Sequence, residues 1–274
     1  MWSTGWVALA LLFALALAHW RNREEAIQFT TGYVIELSLS LDNILVMAII
    51  FSYFRVPSEQ QHRLLFWGIL GALAMRGAMI AGGVALINRF DWVLYVFGAF
   101  LVLAGIKMSF SKEEMEPEKN LVLRLARKFF PIAENFHGQK FFTKLNGKFA
   151  LTPLALVLLL IETTDLIFAV DSVPAVFSVT RKAFIIFTSN VFAILGLRSM
   201  YFLLAGAIGY FRYLKTGLSV VLVFIGAKML IAPHGEQRSW YQKEIKTTDS
   251  LLIVAVILSA SIALSIIAAR HKKK

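Results

Sequence analysis

Apolar residues gather in long blocks along this chain, parted by short polar stretches. The blocks run over 2–20, 27–54, 63–87, 91–109, 151–178, 183–209, 213–232 and 249–269. A helix needs about 20 apolar residues to cross a bilayer, and each block comes close to or exceeds that length. The pattern predicts an all-α polytopic membrane protein with about eight transmembrane helices. Trp2, Trp20, Trp92, Tyr95, Tyr210 and Tyr213 fall at block ends, where interfacial aromatics belong. The first block ends in Ala16-Leu17-Ala18, which resembles a cleavage site. No basic segment precedes that block and it is long enough to span, so it is read as a retained helix.

The longest polar stretch, 110–149, opens with the run Lys112–Lys119 (KEEMEPEK). The segment Leu121–Phe130 (LVLRLARKFF) follows, basic and amphipathic, and is expected to lie on the membrane surface. The chain therefore divides into an N-terminal helix (1–26), a first three-helix unit (27–109), a loop (110–150), a second three-helix unit (151–232) and a loop with a final helix (233–274).

Composition agrees: 58% of residues are hydrophobic and the mean hydropathy is +0.69. There is no cysteine, which excludes disulfides, thiolate metal sites and thiol chemistry. The net charge of +11 does not signal nucleic acid, because nearly all 28 Lys and Arg sit in the breaks between apolar blocks as topology signals. Alternate breaks hold 16 and 8 of them, a bias that places both termini in the cytoplasm of an inner-membrane protein. Arg21 and Arg23, which follow the first block, are the local signal against that orientation.

The two three-helix units share landmarks. Residues 42–108 contain Asp42, then GALAMRGAM around Arg76, then GAFLVLAGIKM ending at Lys107-Met108. Residues 165–229 contain Asp165, then AILGLRSMY around Arg198, then VFIGAKM ending at Lys228-Met229. Units with an odd number of spans enter the membrane from opposite sides. That is the inverted-repeat plan of many secondary transporters, whose sites lie near the midplane.

Five carboxylates lie inside the apolar blocks: Glu36 and Asp42 in one, Glu162, Asp165 and Asp171 in its counterpart. A charge at the bilayer centre costs at least about 2.5–3.5 kcal/mol. Arg76 and Arg198 can balance two of the five. The excess calls for bound protons or a bound cation. Glu36 to Asp42 and Asp165 to Asp171 are each six residues apart, about 240° on a regular helix. They would face one site only if the helix were broken, and Ser38 with Ser40, and Asp171-Ser172-Val173-Pro174, are the expected breaks. Glu162 and Asp165 share a face without any break.

Asn43, Thr163, Thr164, Ser172 and Asn190 are candidate neutral ligands, or else helix–helix hydrogen bonders. The histidines, His19, His62, His137, His234 and His271, all map to loops or ends, so the site is built from oxygen. Oxygen ligands suit Mn²⁺, Mg²⁺ or Ca²⁺. Met47, Met75 and Met79 either pack or soften the site towards Mn²⁺. Crowded carboxylates titrate as a coupled set, so metal entry would expel protons.

The stretches IELSLSLDNILVM, FSYFRVP, FDWVLYVFGAFLVLAGIKM, IETTDLIFAVDSVPAVFSVT, TSNVFAILGLRSMYFLLA and LVFIGAKMLI closely resemble the TerC family of integral membrane proteins, over roughly residues 29–232. The resemblance implies a lysine-exporter-like fold and an association with tellurite resistance, manganese efflux and, in some bacteria, manganese supply to secreted enzymes. It implies metal transport through Glu36, Asp42 and Asn43 of the first acidic stretch and Glu162, Asp165 and Asp171 of the second. The chain has one block before the first motif, where some members have two or more.

The expected function is export of a divalent metal, Mn²⁺ above all, in exchange for protons by alternating access. The protein would be no enzyme and would carry no prosthetic group. Its partners would be the lipid bilayer, Mn²⁺ and protons, with no nucleic acid. A homodimer contact or a stress-complex partner would use loop 110–149. The alternatives are a non-transporting membrane partner in tellurite-stress or metal-loading complexes, an exporter of another small cation, and an intramembrane protease. The last lacks the Gly-x-Gly-Asp pattern such an enzyme needs.

Overall fold

The computed structural model describes residues 2–110, 120–133, 135–136, 138–145, 147–204, 213–233 and 245–271. Its helices are α1 (Trp2–Trp20), α2 (Arg23–Tyr53), α3 (Ser58–Arg89), α4 (Val93–Phe110), α5 (Leu121–Phe129), α6 (Pro153–Phe177), α7 (Ala183–Leu204), α8 (Leu214–Ile231) and α9 (Thr247–His271). Six of them, α2, α3, α4, α6, α8 and α9, are long and apolar enough to cross a membrane. Shorter apolar helices cover Thr4–Trp20 and Ala183–Leu197. The run Lys112–Lys119, Tyr210, His137 and His234 lie outside the described residues, as do the side chains of Trp2, Arg198 and His271.

Local chemistry sets the ends of these helices. The Asn22 side chain accepts a hydrogen bond from the Glu25 amide at 2.7 Å and starts α2. Thr152 does the same for α6, with Pro153 in the first turn where a missing N–H costs nothing. Between α2 and α3 the chain reverses at Phe54–Pro57, with Arg55 in the left-handed region at φ 48°.

α2, α6, α3 and α7 form the middle of the bundle, α2 packing on α6 and α7 and α3 packing on α6 and α7, with α1 and α9 at the rim. The expected helix breaks are absent. α2 runs unbroken through Ser38 and Ser40, and α6 runs unbroken through Asp171 and Ser172. Ser38 stays helical because its hydroxyl donates to the Val34 carbonyl one turn back. Pro174 falls in the last turn of α6, where it ends the helix instead of splitting it.

The described residues from 120 onward in the stretch 110–149 hold more regular structure than its polarity suggests. α5 forms as expected, turning Leu123 and Ala126 into the core. After it comes an antiparallel hairpin, β1 (Phe142–Leu145) with β2 (Lys148–Leu151), in the register Phe142 opposite Leu151. Phe142 stacks on Phe149, which meets Phe130 edge-on, and all three rings are exposed.

α4 and α8 run antiparallel at close range. A Cβ on Gly98 would lie 2.9 Å from the Gly226 carbonyl oxygen, and one on Gly105 would lie 2.8 Å from that of Ser219. The Ser219 hydroxyl donates to the Gly105 carbonyl at 2.6 Å. Small residues let helix backbones touch in this way inside a membrane. Gly98→Leu should force the two helices apart and lower the thermal midpoint in detergent, with overpacking costing about 1–3 kcal/mol. A midpoint equal to wild type would show that the seam yields without penalty.

Candidate functional site

The polar centre of the bundle is built around Arg76, which α3 places between α2, α6 and α7. Its guanidinium is 2% exposed. It makes a two-point contact with Asp165 on α6, from Nε to Oδ2 at 3.2 Å and from Nη2 to Oδ1 at 3.1 Å. Nη1 forms an ion pair with Glu36 on α2. The same nitrogen donates to the Ser172 hydroxyl at 3.0 Å and to the Asn190 carbonyl oxygen at 3.4 Å. Asn43 on α2 donates to Asp165 Oδ1 at 3.2 Å. Glu36 is 0% and Asp165 3% exposed, so the cluster is cut off from solvent on all sides.

With both carboxylates ionised, this cluster carries one more negative charge than Arg76 neutralises. A buried excess charge is costly unless further hydrogen bonds or a cation offset it. A small cavity opens beside the cluster, lined by Asn43, Val46, Met47, Ile50, Ile161, Thr164, Asp165 and Phe168. It is about 10 Å³, room for one water. The Asn43 carbonyl oxygen is buried with no hydrogen-bond partner among the described residues. A site holding an oxygen acceptor without a donor partner, next to a carboxylate, fits a cation or a water better than it fits an anion.

Apolar clusters close both ends. At the α5 end, Ile50, Phe51, Leu64, Leu65, Leu123, Leu154 and Leu197 pack together. A second cluster includes Ile35, Ile80, Leu101 and Leu222 and reaches the opposite end through Ile87, Val93, Phe177 and Val179. At that end Glu25 pairs with Lys182 at 2.8 Å and Arg181 with Asp91 at 2.7 Å, tying the start of α2, the α3–α4 turn and the α6–α7 turn together.

The structure therefore brings together Glu36, Asp165, Asn43, Ser172, Asn190 and Arg76 out of the residues expected at the site. It does not bring in the other three carboxylates. Asp42 is half-buried and points away from the cluster by the 100° step that separates it from Asn43. Glu162 is half-buried against α3, in space left open by Gly71, whose Cβ would overlap its carboxylate. Asp171 is half-buried on α6, one residue before Ser172. Among the described residues no three His, Asp or Glu side chains are close enough to share an ion. The hydroxyls of Thr163 and Thr164 donate to Leu159 and Leu160 carbonyls within α6. Met47 lines the cavity, while Met79 packs into the apolar cluster of α8.

Sequence reading set Arg76 against the acids as a group and did not assign Glu36 and Asp165 to it. No spacing rule links α2, α3 and α6 across 40 to 90 residues. Gln28 is not among the residues the sequence singles out; it is buried on the same side of α2 as Glu36, at the start of the period of four Gln28, Gly32, Glu36, Ser40 that marks it.

A helical bundle with six long apolar helices and a charged, enclosed polar centre is the architecture of a polytopic membrane protein. Residues 21–273 match the model of the integral membrane protein TerC family, and the chain belongs to that family. It is 50% identical over 271 residues to an uncharacterized membrane protein, STKORF319, of Myxococcus xanthus, covering 98% of this chain and 82% of that one. It is 45% identical over 283 residues to the "Putative membrane-bound redox modulator Alx" of Photorhabdus laumondii, covering 99% of this chain and 85% of that one. The protein of that name in Escherichia coli K12 is 49% identical over 240 residues, 84% of this chain and 74% of that one. No solved structure is significantly similar.

Proposed function

We propose that the protein is an inner-membrane exporter of a divalent cation, Mn²⁺ above all, that exchanges the metal for protons by alternating access. The observation that carries this reading is the Arg76 cluster: two buried carboxylates and an unpartnered amide oxygen, enclosed between two apolar plugs. Opening one plug or the other would expose the same acids to one side at a time. Arg76 then acts as the resident cation of the empty site, and Mn²⁺ would enter by drawing Asp165 and Asn43 away from it. Glu162, Asp42 and Asp171 line the flanks and would complete the oxygen shell, or carry protons, once the helices move.

The two-repeat plan, with eight spans and both termini cytoplasmic, is part of the same reading. Matching Gly105-Ile106-Lys107-Met108 to Gly226-Ala227-Lys228-Met229 carries Gly98 onto Ser219. The α4–α8 contacts Gly98 to Gly226 and Gly105 to Ser219 then exchange with one another, as a twofold axis requires. The Ser172 and Asn190 contacts to Arg76 lie where the two units meet.

The relatives named as redox modulators are compatible with this role. A chain without cysteine has no thiols through which to set redox state, whereas moving a redox-active metal alters it indirectly. A second reading, a membrane partner that docks a stress or metal-loading complex, is favoured by the exposed rings of Phe130, Phe142 and Phe149.

Mn²⁺ flux into proteoliposomes under an imposed pH gradient separates the two. The exporter reading expects gradient-driven flux in wild type and background flux in Asp42→Asn. Its failure would be wild-type protein that moves no Mn²⁺ under the gradient while replacing 110–149 abolishes the cellular phenotype.

A further inference from the structure

We propose that one face of α2 is a hydrated path joining the Glu25 end of the bundle to the Arg76 cluster and the cavity beyond it. The path rests on the exporter reading only for its purpose, not for its existence.

Glu25, Gln28, Gly32, Glu36, Ser40 and Asn43 follow one another at steps of three or four. At 100° per residue they fall within an arc of about 120° on α2. All six are buried: Gln28 is 7%, Ser40 1% and Asn43 3% exposed. Four of them hold a polar atom with no hydrogen-bond partner among the described residues, namely Gln28 Oε1, Ser40 Oγ, Asn43 Oδ1 and the carboxylate oxygens of Glu36, which is ion-paired with Arg76. Asn190 Nδ2 on the facing helix α7 is in the same position. Midway, Gly32 makes room for a hydroxyl from α7: a Cβ there would lie 2.9 Å from Ser189 Oγ. Phe29 and Leu39 form apolar walls on the same side of the helix.

Buried amides and hydroxyls are almost always paired, and a run of unpaired ones along a single face is the pattern that ordered water satisfies. At the outer end Lys182 Nζ holds Glu25 Oε1 at 2.8 Å and Arg21 Nη1 holds Glu25 Oε2 at 3.4 Å, both cations half-exposed, so the mouth is closed by two ion pairs on one carboxylate. At the inner end Ser40 and Asn43 carry the stripe past Arg76 to the cavity lined by Asn43, Thr164 and Asp165. Carboxylates at both ends and neutral oxygens between them suit water and small cations and disfavour anions.

Because the chain has no cysteine, a single introduced thiol reports on this path without background. Gln28→Cys, Ser40→Cys and, as a dry control in the core of α8, Val221→Cys would be prepared in sealed vesicles with the Glu25 end outward. Ag⁺ is added outside and quenched, and the remaining thiols are counted with a fluorescent maleimide after denaturation. Thiol reaction follows access, so Ser40→Cys and Gln28→Cys should react roughly tenfold or more faster than Val221→Cys. Adding Lys182→Gln should speed the Ser40→Cys reaction further by opening the mouth. A Ser40→Cys thiol as slow as Val221→Cys, in protein that elutes as a single species, overturns the path. Labelling requires no transport, so a reactive thiol beside zero wild-type Mn²⁺ flux would overturn the exporter reading and leave the path standing.

Discussion

Arg76→Gln should leave little folded protein to purify. The wild-type cluster holds one guanidinium against Glu36 and Asp165, all at 3% exposure or less. Removing the cation leaves two carboxylates facing each other in low dielectric, with only Ser172, Asn43 and Asn190 to serve them. Breaking a buried ion pair by deleting one partner costs about 3–5 kcal/mol. That is a large share of the roughly 5–15 kcal/mol by which folded domains are stable. The thermal midpoint in detergent should therefore fall sharply, and salt should not rescue it, because ions do not reach a buried cluster. Rescue should come from charge instead: Arg76→Gln combined with Glu36→Gln and Asp165→Asn removes all three charges and should recover most of the midpoint. Arg76→Gln alone with a wild-type midpoint would mean that the two acids are neutralised by something other than Arg76.

Much of this architecture is legible in the sequence. Block length alone gives the positions of α2, α3, α4, α6, α8 and α9 to within a few residues, because spanning a bilayer leaves the backbone no choice but a helix. The short connections escape that constraint. The β1–β2 hairpin lies in a stretch whose polarity and charge overshadow the hairpin's large apolar residues, Phe142, Leu145, Phe149 and Leu151, and the sequence of β1 shows no period-two alternation to mark it. The helix breaks expected from Ser38, Ser40 and Pro174 did not form, for a related reason. Ser38 satisfies its hydroxyl on the Val34 carbonyl within the helix, Ser40 stays helical with its hydroxyl unpaired among the described residues, and proline breaks a helix only when turns follow it. At the site, the sequence shows which residues carry charge but not which pair. Arg76 is 40 residues from Glu36 and 89 from Asp165, and three-dimensional packing alone decides that it serves both. The five carboxylates look like one set along the chain, yet helical phase separates Asp42 from Glu36 and sends Glu162 against Gly71.

Asp165→Asn should behave in the opposite way to Arg76→Gln: stable and inactive. The asparagine keeps an oxygen in reach of the Arg76 Nε and Nη2 nitrogens, which now sit 3.2 and 3.1 Å from the Asp165 carboxylate. Arg76 retains Glu36, Ser172 and Asn190, and the cluster as a whole becomes neutral. Folding loses no compensated charge, so the midpoint should match or exceed wild type. Transport is another matter. A unit charge at about 4 Å is worth roughly 4 kcal/mol to a cation in an environment of intermediate dielectric. Since about 1.4 kcal/mol is a factor of ten, losing it should lower Mn²⁺ affinity by about 100-fold or more. Gradient-driven Mn²⁺ uptake by proteoliposomes should drop to the level of empty vesicles at any Mn²⁺ concentration that half-saturates wild type. Because the variant is folded, that loss would belong to the site and not to the scaffold. Wild-type uptake in folded Asp165→Asn would instead make the Arg76 cluster a structural brace, and the cation would have to pass by Glu162, Asp42 and Asp171, which the fold holds apart from it.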